Sequence, residues 1–389
     1  MPAVLRHWLS RRQTREALRI AIVTRCLVFV VGYFAVATFG HAPDQGPPPA
    51  NELAALAARW DASWYLGIAS GGYRWTAGES NPRIAFFPGF PLAVGAVGRV
   101  LRLPDREAPW LWTGVGVSFV FFFLALIYLQ RLVALVGGSE HAGVNAAWLL
   151  ACYPFSLFHG QHYPESMFLL LAVAVSCHAL ESRWWAAAAC GFLIGLVKPT
   201  GIVIAVVSLW AIARAIQQGR FGRAKELIPA TVAVIAPALG LLAYAAYIHH
   251  VTGDWLAWMT VQANWGRTMG NPLAPFIGIY ESIATSGLPA YLLAKPYDAL
   301  NASAAILALV SVVPIARRFG AGLAAFVFLS VLVPLSAGGL LSIGRFTSVL
   351  FPIFIWLGTR ARPSRGLIAG FAGLQAILSA LFFTDRGIF

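Results

Sequence analysis

The chain has 389 residues, 59% of them hydrophobic and only 11% charged, with a mean hydropathy of +0.72. Soluble domains sit near a quarter charged, so this composition excludes a soluble fold and calls for a bilayer that solvates apolar surface. The formal charge of +13 does not point to nucleic acid. A nucleic-acid binder gathers Lys and Arg on one exposed face, whereas here they punctuate the ends of apolar runs, as topology-setting charges do.

Arg6, Arg11, Arg12, Arg15 and Arg19 precede the first apolar run, 20–39. That run is too long for a signal h-region and lacks an A-x-A cleavage site, so it reads as an uncleaved span with a cytoplasmic N-terminus. Ser10-Arg11-Arg12 only faintly echoes a twin-arginine signal. Further apolar runs follow at 110–130, 142–158, 165–180, 184–197, 200–213, 227–248, 299–316, 320–337, 345–358 and 366–383. The expected fold class is an all-α polytopic membrane protein with about 11 transmembrane helices, forming one domain over 1–389. Several runs fall short of the roughly 20 residues a free span needs, which is tolerable where backbone lines a watery cavity. No internal repeat of the transporter kind is visible. Cys26, Cys152, Cys177 and Cys190 all lie inside apolar runs and read as core packing.

Residues 84–101 are apolar enough to cross but are interrupted by Pro88, Gly89, Pro91, Gly95 and Gly98. If they do not cross, the inner loops hold Arg131, Arg183, Arg214, Arg220, Arg223, Lys225, Arg317, Arg318, Arg360, Arg362 and Arg365, and the outer side keeps Lys198, Arg267, Lys295, Arg345 and Arg386. Crossing inverts that excess, against the positive-inside rule. The stretch is therefore placed at the outer interface, re-entrant or surface-lying. Residues 41–109 and 250–298 become long external loops in a cell (inner or plasma) membrane protein.

Arg59-Trp60-Asp61-Ala62-Ser63-Trp64-Tyr65 sets one carboxylate among aromatics just beyond the first span. If helical, it places Trp60 and Trp64 on one face and Asp61 and Tyr65 on the neighbouring stripe. Interfacial aromatics hold such a segment at headgroup height. There Asp61 can accept a proton from an attacking hydroxyl, or merely pair with Arg59. Arg59, Trp60, Trp64, Tyr65 and Tyr163 join it as candidate substrate-binding residues.

Glu165 opens an apolar run, where an ionisable group is costly and usually functional; it is a second candidate catalytic carboxylate, against a plain helix-start acid. His159 and His162 beside it have near-ligand spacing, but hydrogen-bonded structure is the better reading. These residues point to no definite cofactor, with a divalent metal kept as an alternative. Lys198, Arg267 and Arg345 are cations near the outer ends of spans, suited to a phosphate leaving group. Gln262 and Trp265, with Trp255, Trp258 and Asn264, offer aromatic faces and amides for a sugar. Arg25 inside the first span is unexplained, and the sequon Asn301-Ala302-Ser303 carries no weight.

The block Arg-Trp-Asp-x-x-Trp-Tyr-Leu-x-Ile-Ala-x-x-Gly-Tyr, followed by Ala85-Phe86-Phe87-Pro88-Gly89-Phe90-Pro91, resembles the PIG-V-type mannosyltransferases and their bacterial relatives, enzymes of GPI-anchor assembly. Weaker matches follow in order at 162–168, 197–201, 262–267, 342–346 and 350–352. The resemblance implies the GT-C membrane fold, a polyprenyl-phosphate-mannose donor, an inverting transfer to a lipid or glycan acceptor, and Asp61 as the catalytic residue. Lys198-Pro199-Thr200-Gly201 and Pro164 depart from the family pattern and put donor or acceptor details in doubt. The alternatives are a transporter or flippase of lipid-linked sugars, or a GT-C enzyme with another polyprenyl-phosphate sugar. Partners are then membrane lipids, the carrier-linked donor and the acceptor, with no nucleic acid.

Overall fold

The computed structural model describes residues 11–43, 49–73, 82–220, 224–360 and 365–387. Arg6, Arg223 and Arg362, and the side chains of Arg11 and Lys225, lie outside that set. Among the described residues every regular element is helical. The helices of eight residues or more are α1 (Arg11–Phe39), α2 (Ala62–Gly71), α3 (Gly89–Val100), α4 (Glu107–Leu135), α5 (Glu140–Cys152), α6 (Glu165–Leu180), α7 (Trp184–Gly195), α8 (Ala205–Gln217), α9 (Ala224–Thr252), α10 (Ala274–Ser286), α11 (Pro296–Phe319), α12 (Ala321–Gly338), α13 (Phe351–Gly358) and α14 (Arg365–Phe383).

Seven helices among the described residues are long and apolar enough to cross a membrane, or eight if Pro154–Gly160 and α6, bent by 99°, count as one broken span. That is fewer than the eleven runs of the sequence. The apolar stretches 142–158, 184–197 and 345–358 supply helices α5, α7 and α13 of only 13, 12 and 8 residues. At 1.5 Å per residue they rise at most ~20 Å, short of a ~30 Å hydrocarbon core. Proline explains two of the breaks. Tyr153 before Pro154 has ψ 137°, and Lys198 before Pro199 has ψ 150°; both sit in the extended region that a following proline imposes. Helix α3 has 12 residues, so by itself it is also too short to cross, as its Pro and Gly content suggests.

Ser139 caps α5 by accepting from Ala142 N at 3.2 Å. The far end of α5 is closed by Arg25 of α1, which donates to Ala151 O at 2.7 Å and to Ser156 O. A buried guanidinium at a helix C-terminus satisfies orphan carbonyls and the dipole together, which accounts for an arginine inside a span. Helices α7 and α9 meet almost backbone to backbone. A Cβ on Gly195 would lie 2.1 Å from Pro237 O, and one on Gly240 would lie 2.0 Å from Phe192 O. This is small-residue packing as used where no water drives association. One continuous apolar core runs from Ala17 on α1 to Phe383 on α14.

Candidate active site

The turn 59–61 lies between the short helix Glu52–Ala55 and α2. Trp60 takes a left-handed φ of 53°, a conformation costing a bulky residue about 1 kcal/mol or more. Tyr163 fixes it from both sides. Its hydroxyl accepts from Asp61 N at 2.9 Å and donates to Arg59 O at 3.0 Å. Trp60 is thereby excluded from the helix, and its indole donates to Phe382 O at 3.1 Å. The expected shared face of Trp60 and Trp64 does not form. Arg59 also turns away. It is buried and donates to Glu52 at 2.5 Å, Phe383 O at 2.9 Å and Ala55 O at 3.0 Å. Arg59 and Trp60 bind the turn to the end of α14, and neither partners Asp61.

Asp61 stands at the N-cap of α2 yet makes no side-chain capping bond. Its carboxylate instead accepts from Arg345 Nη1 at 2.6 Å. Arg345 Nε bonds Glu165 Oε1, and Lys198 Nζ reaches the same oxygen at 2.6 Å. One guanidinium thus bridges two carboxylates that lie more than a hundred residues apart in the chain. Glu165 is fully buried, whereas the Asp61 side chain is 30% exposed and accessible from outside the cluster. Glu165 Oε2 has no hydrogen-bond partner among the described residues. Arg345 lies over the Tyr163 ring at 4.6 Å and the Phe158 ring at 5.2 Å, cation–π contacts that offset part of its desolvation.

Arg345 is held by its short helix, Ile343–Thr347. Asn301 Oδ1 of α11 accepts from Gly344 N at 2.7 Å, Ser348 Oγ donates to Arg345 O at 2.7 Å, and Thr347 pairs with Tyr153 at 2.8 Å. Gly344 allows the approach: a Cβ there would fall 2.2 Å from the Phe155 ring. Sequence reasoning missed Asn301 as a positioning residue. The available signal was a buried amide inside an apolar run, which is costly unless it has work to do.

Burial lowers the affinity of Arg345 for its proton, but Glu165 and Asp61 outweigh this and hold it well above the ordinary arginine value. For Lys198 burial wins over Glu165 and brings it from 10.5 to about 8. Burial also pushes the Tyr65 phenol well up. Arg267 completes the cationic side. It lies over the Phe346 ring at 5.4 Å, as Lys198 does from its own position. Trp64, Phe86 and Trp265 form an aromatic wall, with Trp64 stacked on Phe86 at 5.7 Å and Trp265 edge-on to both. Gln262, on the same turn as Trp265, is half-buried. Tyr65 packs edge-on against Phe86 and Phe90.

The histidines are engaged elsewhere. His159 stacks on Phe122 at 5.0 Å, and His162 Nδ1 lies 3.2 Å from Leu111 O. Among the described residues no group of three or more His, Cys, Asp or Glu is arranged to hold a metal ion.

Residues 50–246, just over half of the chain, match the family described as Mannosyltransferase (PIG-V). The chain belongs to that family. Human GPI alpha-1,6-mannosyltransferase 2 is 31% identical over 195 residues, 46% of this chain and 38% of its own length. The Cricetulus griseus protein of the same name is 29% identical over 212 residues, 50% of this chain and 42% of its own. The chain thus aligns with less than half the length of these relatives. Among solved structures, the archaeal oligosaccharyltransferase AglB from Archaeoglobus fulgidus, in complex with an inhibitory peptide and a dolichol-phosphate, superposes with a TM-score of 0.45 at 12% identity, covering 95% of this chain and 55% of that one. The apo form of the Archaeoglobus fulgidus oligosaccharyltransferase gives a TM-score of 0.46 at 13% identity, covering 96% and 56%. This PIG-V family member is a multi-pass membrane protein by its helices and its family together. The family match includes Asp61, Tyr163, Glu165 and Lys198; Arg267 and Arg345 come from beyond it.

Proposed function

We propose that the protein is a GT-C glycosyltransferase that moves mannose from a polyprenyl-phosphate-mannose donor to a lipid or glycan acceptor, with Asp61 as general base. The observation that carries this reading is the bridge from Arg345 to both Asp61 and Glu165. A partly exposed acid without a capping role, beside a cluster of cations, is what a phosphate-leaving sugar transfer needs. In the resting chain Arg345 occupies Asp61. An incoming donor phosphate competes for the guanidinium, and with Lys198 and Arg267 gives the phosphate three cations. Asp61 Oδ2 is then free to accept a proton.

The acceptor oxygen forms a bond to the anomeric carbon from the face opposite the phosphate, and its proton passes to Asp61. The bond between the anomeric carbon and the phosphate oxygen breaks, and polyprenyl phosphate leaves with that electron pair, so configuration inverts. From its buried position Glu165 holds Arg345 and Lys198 in place, while Trp64 and Trp265 face the apolar side of the sugar. Donor binding first is expected, because the donor phosphate draws Arg345 away from Asp61 Oδ2. The site lies at the outer membrane face, with the N-terminus cytoplasmic.

The test is transfer from polyprenyl-phosphate-mannose by purified full chain, with Asp61→Asn expressed to the same level. Loss of transfer together with ordered, donor-first kinetics supports the assignment; full turnover in Asp61→Asn removes it. A reporter fused within 102–109 should read as external, and a cytoplasmic signal would overturn the orientation.

A further inference from the structure

A second polar site lies in the other long loop. A cavity of about 580 Å³ is lined by Glu281 and Ser282 of α10, Tyr291, Lys295, Asp298 at the start of α11, and Leu341. Tyr291 is 4% exposed, and its hydroxyl has no hydrogen-bond partner among the described residues. A buried hydroxyl in that state costs about 1–3 kcal/mol unless something fills the cavity and bonds to it. Two carboxylates against one ammonium make the lining a poor host for a phosphate, and a good acceptor of sugar hydroxyls. This is the reverse of the charge balance around Arg345.

Helix α10 carries the second half of the argument. Gly278, Ser282 and Thr285 line the cavity, while Leu273, Ile277 and Tyr280 form an adjoining stripe that is 61%, 49% and 73% exposed. Leu293 on the following short helix is 85% exposed. An amphipathic helix with such a stripe lies in the lipid interface, so the cavity sits where a lipid headgroup does. Leu341 is four residues from Arg345, and four residues reach at most ~14 Å. The cavity therefore adjoins the charged cluster.

We propose that this cavity holds the acceptor: a lipid whose headgroup is an uncharged, hydroxyl-rich glycan, its tails against the Ile277–Tyr280 stripe. The inference rests on the transferase reading and names the substrate class for its second site. Tyr291 donates to a ring or hydroxyl oxygen of that head, and Asp298 and Glu281 accept from its hydroxyls. The acid-rich lining admits the neutral acceptor and repels the phosphate of the carrier.

The experiment uses the full chain in nanodiscs and a glucosyl-diacylglycerol with a photoactivatable diazirine on the glucose. Crosslinked peptides should map to 275–298. Unlabelled glucosyl-diacylglycerol should displace the probe at least about fivefold better than diacylglycerol or polyprenyl phosphate. Tyr291→Phe, which removes only the hydroxyl, should cut labelling about threefold, and Tyr291→Phe with Asp298→Asn about tenfold, with polyprenyl-phosphate binding retained as the check on folding. Equal displacement by diacylglycerol would reduce the site to a lipid-lying surface, equal displacement by polyprenyl phosphate would make it a donor site, and labelling elsewhere would end the proposal. Asp61→Asn separates the two readings. Labelling at 275–298 with transfer intact in that variant sinks the base and leaves the cavity standing; transfer lost with labelling elsewhere does the opposite.

Discussion

The loops 49–101 and 254–298 are similar in character by sequence, both aromatic and both interrupted by Pro and Gly, but they are built differently. The first is bound to the helical body by long-range bonds. Arg59 reaches Phe383 O, Trp60 reaches Phe382 O, Tyr244 donates to Ile84 O at 2.8 Å, and Trp112 donates to Ala54 O at 3.2 Å. The second is satisfied mostly within itself, as Thr285 and Ser286 donate one turn back to Glu281 and Ser282. A long backbone tie runs from Gly270 N to Ser336 O at 2.7 Å. Helix α10 has no fully buried residue. On the proposed function, the loop that carries the base is the cross-braced one, and the loop proposed to lie on lipid relies mostly on its own turns.

Breaking the chemistry of the first loop has the largest effect. Asp61→Asn should lower the transfer rate by about a thousandfold with the detergent melting temperature unchanged or raised, since only one partner of Arg345 loses charge. Breaking the bracing comes next. Arg59→Ala removes the buried donor to Glu52 Oε1, Phe383 O and Ala55 O, so it should destabilise by about 3 kcal/mol, seen as a clear drop in melting temperature. Leu293→Ser in the second loop should stay within about 0.5 kcal/mol. Equal shifts for the two would erase the contrast.

A smaller effect comes from pH. The Lys198 ammonium, at about 8 against an ordinary 10.5, loses its charge as pH rises through 8. Between those values the unfolded chain holds the extra proton, so this group's contribution to stability rises with pH and alkaline unfolding does not follow from it. Donor use should therefore weaken above about pH 8 while the fold persists. Lys198→Arg should move that limb upward, and a limb that stays in place would assign it to another group. The smallest effect is on donor affinity alone: Asn301→Ala, which releases Gly344, should raise the donor KM by about threefold to tenfold and leave acceptor KM alone.

What the sequence determined by itself is what hydropathy and local spacing encode. The apolar runs located the helical body, the motif around Asp61 marked a candidate site, and Glu165, Lys198 and Arg345 stood out because charge is expensive beside an apolar span. The tertiary structure decided which charges meet. Arg345 and Asp61 are 284 positions apart, and no periodicity reports a contact at that separation. It also decided against two local expectations. Asp61 does not pair with Arg59, because Arg59 finds Phe383 O at the end of α14 and the carboxylate of Glu52, and Trp60 leaves the helix because Tyr163 pins the backbone on either side of it. Helix and span follow from the solvent preference of neighbouring residues, whereas a site is fixed by the closure of long loops around a few buried polar bonds, and that information lies in the packed chain.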